Sequence, residues 1–355
     1  MQRIPSLDGL RAISIVAVIA GHLAAGSGLP LSPRVLAILE HLPHLGVRVF
    51  FVISGFLITS LILREKEETG RFSLGNFYLR RAWRILPAAY AMLLCLFVAN
   101  LLHLISMPVI DYVRALTYTM NYGPIPNWFV GHLWSLSVEE QFYLIWPFLL
   151  AFLSIRRCRF IAAAFIVVSV LLRYHMTTQA FEDQWRLEFQ FQYAGTAMAF
   201  GCLLAIDRQW LYGKRWFMRM CASGWTAPVA CVVLLGNSIL LRTSGAAGLC
   251  AADLITNLCV TVLLVRFTYA PEGLVGRFLN ARPVAFIGVI SYSLYLWQQP
   301  FTYAGVHAWT NRFPFNLMMI ALCALASYYL VERPTLRMRQ FLHKKTERAM
   351  EVAGT

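Results

Sequence analysis

The sequence predicts an all-α integral membrane protein, a bundle of about ten transmembrane helices with both termini in the cytoplasm. Three observations lead there. Of the 355 residues, 59% are apolar and 14% charged, where a soluble domain holds about 45–50% and about 25%. The apolar residues gather into uncharged blocks long enough to cross a bilayer, and these recur along the whole chain. Lys and Arg fall in short clusters between the blocks. This composition excludes a soluble globular enzyme. The scattering of the net charge of +14 also excludes the single basic patch of a nucleic-acid binder.

A helix needs about 20 mostly apolar residues to span the hydrocarbon core. By that ruler the spans fall at about 10–28, 45–63, 85–106, 133–154, 159–174, 188–206, 225–241, 245–265, 283–306 and 314–331. The first follows Arg3 and resembles a signal peptide in outline. It reads as a retained span, because a cleaved leader has no use for Asp8, Arg11 and His22, and a second span follows at once. The second, GVRVFFVISGFLITSL, holds Ser54 and Gly55, whose small size lets helices approach closely. The third follows the most basic loop, FYLRRAWRILP, and the fourth contains paired acids in SLSVEEQFYLIWP. The fifth is the shortest, with an uncharged run from Phe160 to Leu172 and Arg173 left to snorkel. The eighth carries the buried acid Asp253, expected to pair with another buried polar group. The tenth ends in VERP, where Glu332 and Arg333 are expected to form a helix-end ion pair. Residues 1–335 thus read as one membrane unit and residues 336–355 as a basic cytoplasmic tail, with no second soluble domain. The eight cysteines show no CxxC pair and no His at ligand spacing, so they read as packing residues and no metal is implied.

Basic residues orient the bundle. With the N-terminus inside, 24 of the 31 Lys and Arg lie on the cytoplasmic side. Arg34, Arg48, Arg114, Arg173, Arg186, Arg242 and Arg312 lie outside. That asymmetry follows the positive-inside rule, and an odd number of spans would scramble it.

An ionisable group near the middle of a spanning helix costs roughly 2.5–3.5 kcal/mol, so each needs a partner or a purpose. His22 lies about six residues from the outer end of the first span, and Glu139 and Glu140 lie about seven residues into the fourth. At 1.5 Å per residue both positions are roughly 9–11 Å deep. A carboxylate at the depth of an imidazole can fix its tautomer and stabilise the imidazolium, which makes a base with its orienting group. The same pair also reads as polar glue between two helices. His132, Ser135, Glu139 and Tyr143 recur at three- and four-residue steps and form a polar stripe on the fourth helix. On the cytoplasmic side, Arg11 lies about 16 Å along the axis from His22. Arg81 and Arg84 share one helix face and suit phosphate oxygens, or else anionic lipid. A phosphate clamp inside and a base further out describe a site for a long donor with a phosphorylated head and a reactive tail, such as an acyl thioester of coenzyme A.

The segments SLDGLRAISIVAVIAGHL, GVRVFFVISGFLITSL, FYLRRAWRILPAAY, GHLWSLSVEEQFYLIWP, SYSLYLWQQP and VERP, in that order, closely resemble bacterial acyltransferase family 3. These membrane enzymes O-acetylate polysaccharides and other hydroxyl acceptors. The resemblance runs from Ser6 to Pro334. It implies that Arg11 and His22 are the marked pair of the first helix, with His22 the catalytic base. It places acyl-CoA binding on Arg81 and Arg84, with Arg11 a further contact. It sets the acidic position on Glu139, followed by Gln141 and Tyr143. Many relatives carry His after LYLW, and Gln298 stands there in this chain, which puts a proton-transfer role at that position in doubt.

The resulting expectation is an acetyltransferase of the bacterial inner membrane with no permanently bound cofactor. Acyl-CoA, by default acetyl-CoA, is the donor, and a carbohydrate or lipid-linked glycan is the acceptor. His22 and Glu139 do the chemistry; Trp134, Gln141 and Tyr143 contact substrate. Trp128, Trp134, Tyr292, Tyr295 and Trp297 read either as a sugar platform or as interfacial anchors. Two rivals stand beside this reading. A proton-coupled transporter would use His22 and Glu139 without acyl transfer, and a sensor or scaffold would use neither.

Overall fold

The computed structural model describes residues 4, 6–26, 29, 31–124, 126–179, 187–240, 245–303, 305 and 308–339. Arg3, Arg186, Arg242 and the tail beyond residue 339 lie outside them. Among the described residues the chain is helical with no strand. In order, the helices are α1 (Leu7–Gly26), α2 (Pro33–Leu39), α3 (Leu42–Thr69), α4 (Leu74–Leu101), α5 (Val109–Leu116) and α6 (Trp128–Gly131). Then come α7 (Leu133–Phe152), α8 (Ile155–Gln179), α9 (Phe191–Ala194), α10 (Thr196–Tyr212), α11 (Arg215–Ala222) and α12 (Thr226–Leu240). The last five are α13 (Gly245–Tyr269), α14 (Gly273–Asn280), α15 (Arg282–Val289), α16 (Ser291–Gln298) and α17 (Phe315–Ser327). A π-helical turn at Tyr328–Glu332 extends α17 toward Arg339. A helical chain keeps its backbone hydrogen bonds within each segment, as a lipid environment requires.

Helix lies on every predicted span, with changed outlines. The third begins earlier, at Leu74, because Ser73 caps it by accepting from the Asn76 backbone N–H at 3.3 Å. The sixth starts as the short α9 before α10. The ninth is divided into α15 and α16 at Ile290. By length and composition, five stretches can cross a bilayer: Leu7–Gly26, Pro33–Thr69, Leu74–Leu101, Gly245–Tyr269 and Phe315–Arg339. Arg215–Ala222 and Thr226–Asn237, bent by 79°, make a sixth if counted as one. The paired acids, Gln141 and serines of α7 lower its apolar content, and two of these residues, Ser135 and Glu139, line a cavity along α3.

Large apolar side chains cover much of the outer surface, while several charged and amide side chains are buried within the hydrophobic core. Leu94, Leu144, Phe160, Leu274 and Leu330 are more than 60% exposed, while Arg48, Arg173, Asn257, Gln298 and Asn316 are at most 3% exposed. Apolar groups outside and polar groups inside suit a lipid-embedded bundle.

Helix α3 is the hub, packed against α1, α7, α10 and α13. Its closest approach is to α10, through the small residues. A Cβ on Gly55 would stand 2.0 Å from the Met198 carbonyl oxygen, and one on Gly201 would stand 2.1 Å from that of Val52. Helix α1 packs on α3 and α15. Its start is fixed by Asn280, which accepts from the Ser6 backbone N–H at 2.9 Å and donates to Ser6 Oγ at 2.8 Å. These contacts set the rotation of α1 and α3, and with it the direction in which Arg11, His22 and Ser54 point.

Gly55→Leu is therefore expected to push α3 and α10 apart, at a cost of at least about 1–3 kcal/mol. Gly75→Ala, at a site with nothing within 4 Å, is the neutral control. Thermal unfolding in detergent should show a lower midpoint for Gly55→Leu than for the control; equal midpoints would refute the close packing.

Candidate active site

A cavity of about 730 Å³ runs along α3 between α4, α7 and α16, lined from Thr69 and Glu68 at one end of α3 to Val47 toward the other. That stretch of helix is roughly 30 Å long. The volume is within the range of about 300–1,000 Å³ usual for ligand sites.

Its basic end holds both signs of charge. Arg64 donates to Glu68 at 2.6 Å and Arg80 to Glu65 at 2.9 Å, so the rim acids are occupied by rim arginines. Further in, Arg11, Arg81 and Arg84 line the wall. Among the described residues these three make no hydrogen bond or ion pair within 4.0 Å. Arg81 stacks between the rings of Phe77, at 5.7 Å, and Tyr143, at 5.3 Å. All three act electrostatically on the Glu139 carboxylate. Asp8 also acts on Arg11, Glu140 on Arg81, and Arg84 and Arg11 on Glu332, so several acids share the field of these cations at a distance while none of the described residues pairs with them directly.

Ser54, Glu139 and Tyr143 form the middle of the wall. Ser54 Oγ donates to Glu139 Oε1 at 2.7 Å, and the Tyr143 hydroxyl donates to Ser54 Oγ at 3.3 Å. Of the paired acids, Glu139 faces the cavity. The cavity ends at Ser135 and Tyr295. The Tyr295 hydroxyl donates to the His132 carbonyl at 2.7 Å, and with its proton so placed it accepts from Ser135 Oγ at 2.6 Å. Three of the four residues in the predicted stripe thus share the cavity wall, and His132 lies behind its end.

His22 is not on the lining. The expected contact with Glu139 is not made. Equal depth did not bring His22 and Glu139 together, because depth leaves the facing of each helix open. Glu139 turns to Ser54 on α3, whereas His22 turns to α16. There the His22 Nδ1 is 2.7 Å from Gln298 Oε1. The edge of Trp128 meets the imidazole at 5.9 Å and 73°. The neighbouring Gln299 Oε1 accepts from the His132 backbone N–H at 2.6 Å and lies 2.5 Å from His132 Nδ1.

The other predicted substrate residues are placed as follows. Trp134 is packed against Phe51 and Phe189. Gln141 exchanges hydrogen bonds with Asn121 at 3.0 and 2.9 Å and donates to the Tyr118 carbonyl at 3.0 Å, which ties α7 to a loop away from the cavity. The sequence reading missed Ser54 and Gln298 as polar partners and chose Trp134 over Trp128. The departure from His after LYLW was the one signal that marked Gln298.

A second buried cluster pairs its arginines with acids directly. Asp253 on α13 pairs with Arg48 at 3.0 Å and with Arg173, and Arg173 also pairs with Glu188 at 3.1 Å. His44 is 3.3 Å from Glu188. Arg173 is 3% exposed, so it does not snorkel: two acids draw it inward. The VERP ion pair is also absent, since Glu332 accepts from Ser293 at 3.1 Å and Arg333 lies over the Tyr329 ring at 5.6 Å.

Against this geometry stand the comparisons with known proteins. A family model described as an acyltransferase domain matches residues 4–332. YrhL of Bacillus subtilis (strain 168) is 28% identical over 388 residues, covering 97% of this chain and 58% of its own length. The O-acetyltransferase OatA of Staphylococcus aureus (strain NCTC 8325 / PS 47) is 28% identical over 363 residues, covering 93% and 57%. The peptidoglycan O-acetyltransferase OatA of Listeria monocytogenes is 27% identical over 330 residues, covering 84% and 49%. The chain therefore spans about half to three fifths of the length of these relatives. No solved structure matches it.

Removing the acid from the second cluster leaves two buried guanidinium groups to one remaining carboxylate. Asp253→Asn is expected to destabilise the fold by about 3–5 kcal/mol. An unchanged unfolding midpoint in detergent would show that Asp253 does not neutralise them.

Proposed function

The chain belongs to the acyltransferase domain family, and from that premise we propose that it is an integral membrane O-acyltransferase. It moves an acyl group, by preference acetyl, from acyl-CoA to a hydroxyl of a glycan. The observation that carries this reading is the cavity with three guanidinium groups, Arg11, Arg81 and Arg84, that no acid of the described residues pairs. The names of its relatives favour acetyl over other acyl groups and a peptidoglycan hydroxyl among glycan acceptors. They give no support to a proton-coupled carrier.

In this reading ten spans place both termini and the basic end of the cavity in the cytoplasm of a bacterial cell. The coenzyme phosphates meet Arg81, Arg84 and Arg11 as charge-assisted, partly bidentate contacts. The pantetheine arm lies along the apolar wall of α3, past Ile58 and Ser54, and the thioester arrives at Ser135 and Tyr295. Gln298 is one helical turn beyond Tyr295 on α16, so His22 stands just behind this end wall. A rotamer change of Tyr295, breaking its bonds to Ser135 and the His132 carbonyl, brings thioester and imidazole into contact.

The step is a direct transfer. The acceptor oxygen attacks the thioester carbonyl carbon as His22 Nε2 takes its proton. The C–S bond breaks, an ester forms, and the imidazolium returns the proton to the coenzyme thiolate. Trp128 at the His22 edge offers an aromatic face to the sugar.

Purified protein in detergent, given labelled acetyl-CoA and a glycan acceptor, is expected to transfer label at least about 100-fold more slowly as His22→Ala. Arg81→Ala and Arg84→Ala are expected chiefly to raise KM for the donor. Wild-type transfer by His22→Ala would remove the imidazole from the chemistry, and an unchanged KM in both arginine variants would remove the phosphate site.

A further inference from the structure

We propose that Gln298 is a positioning residue: its carboxamide oxygen fixes the ring tautomer of His22, so that Nε2 is the nitrogen with the free lone pair. The inference deepens the proposed function, since it rests on His22 acting as the base, and it identifies what orients that base once Glu139 is seen to point elsewhere.

The contact is short, 2.7 Å, and joins residues 276 positions apart. A carboxamide oxygen only accepts, so the proton between the two groups belongs to His22 Nδ1. Left to itself a neutral histidine ring prefers its proton on Nε2, and that form turns an N–H toward any hydroxyl facing Nε2. The Gln298 oxygen reverses the preference and leaves Nε2 as an acceptor, which a base must be.

Two observations separate this role from simple packing. Gln298 is fully buried, and its Nε2 has no partner among the described residues. The side chain therefore bonds no other helix, and holding His22 is the hydrogen-bonding work it performs. Its neighbour Gln299 shows the contrast, because its oxygen binds a backbone N–H as well as the ring of His132. Gln298 also sits in the last turn of α16.

An amide partner orients without adding charge. His132, across from α1, lies within electrostatic reach of His22. Glu40 and His41, after α2, are exposed beside this end of α1. His44 and Arg48 on α3 are engaged with Glu188 and Asp253. Helix α16 brings no charged side chain to His22. No carboxylate bonds the His22 ring among the described residues.

The test is ¹⁵N NMR of histidine-labelled wild-type protein in detergent, with the His22 signals assigned by their loss in His22→Gln. The expected result is a single tautomer with protonated Nδ1 at neutral pH. A His22 ring protonated at Nε2 overturns the proposal whether or not any variant folds. Gln298→Met, close in volume, is expected to mix the tautomers and to lower kcat for acyl transfer roughly tenfold or more, with KM for the donor unchanged. Gln298→Glu, close in shape but charged, is expected to keep the wild-type tautomer, restore transfer relative to Gln298→Met and move its acid limb up by about one pH unit or more. A tautomer and a pH profile unmoved by both substitutions overturn the proposal. Mixed tautomers with wild-type kcat in Gln298→Met support the hold on His22 and overturn instead its assignment as the base.

Discussion

A guanidinium group inside a low-dielectric bundle has to be answered by an anion, and the arrangement of this protein follows from where that demand is met. Desolvating an arginine costs several kcal/mol even after relaxation. In the cluster of Arg48, Arg173, Asp253 and Glu188 the demand is met by the chain itself, with two acids for two arginines. That cluster ties α3, α8 and α13 together. In the cavity, Arg11, Arg81 and Arg84 lie in the field of Glu139, with Asp8, Glu140 and Glu332 each in reach of one or two of them, and among the described residues none of the three makes an ion pair. Direct pairing in the one place and not in the other, more than the volume of the cavity, distinguishes the structural charge cluster from the candidate site.

The aromatic rings around Arg81 fit that view. The rings of Phe77 and Tyr143 lie 5.7 and 5.3 Å from its guanidinium carbon and restrain it through cation–π contacts. An arginine so held loses less side-chain freedom when it meets phosphate oxygens, which is how pre-organisation raises affinity. Glu65 and Glu68 do the complementary work at the rim. By pairing with Arg80 and Arg64 they keep the outermost cations from competing for the same anion.

Much of this was legible in the sequence, for definable reasons. Hydrophobic blocks fixed the helices, and the scarcity of charge inside them made Arg11, His22, Glu139 and Asp253 visible. Periodicity placed Ser135, Glu139 and Tyr143 on one face, and they share one wall. Depth along a helix is also readable from sequence, but azimuth between helices is not. His22 and Glu139 were matched in depth, yet α1 turns His22 toward α16 and α7 turns Glu139 toward α3. Arg173 illustrates the same limit: near a span end it reads as a snorkelling cation, and only the three-dimensional neighbours Asp253 and Glu188 show why it stays inside. Ser54 was read as a small packing residue beside Gly55. Both readings apply on one turn, since Gly55 meets α10 and Ser54 meets Glu139.

The end wall of the cavity bears on a physical question raised by the proposed reaction, which is how a reactive thioester would be kept from water and still delivered. Ser135, Tyr295 and the His132 carbonyl form a chain of short hydrogen bonds between the guanidinium-lined space and the imidazole. Each buried bond of this kind contributes a net of about 0.5–1.5 kcal/mol, so breaking both is affordable to a ligand that binds through several charge-assisted contacts. In the proposed reaction, a wall of that strength would yield when donor binding supplied the difference. Were His22 exposed directly on the cavity, its lone pair would meet water whenever the donor was absent or partly bound. Setting it one turn behind Tyr295 would, in that reading, couple access to the base to occupancy of the proposed phosphate site.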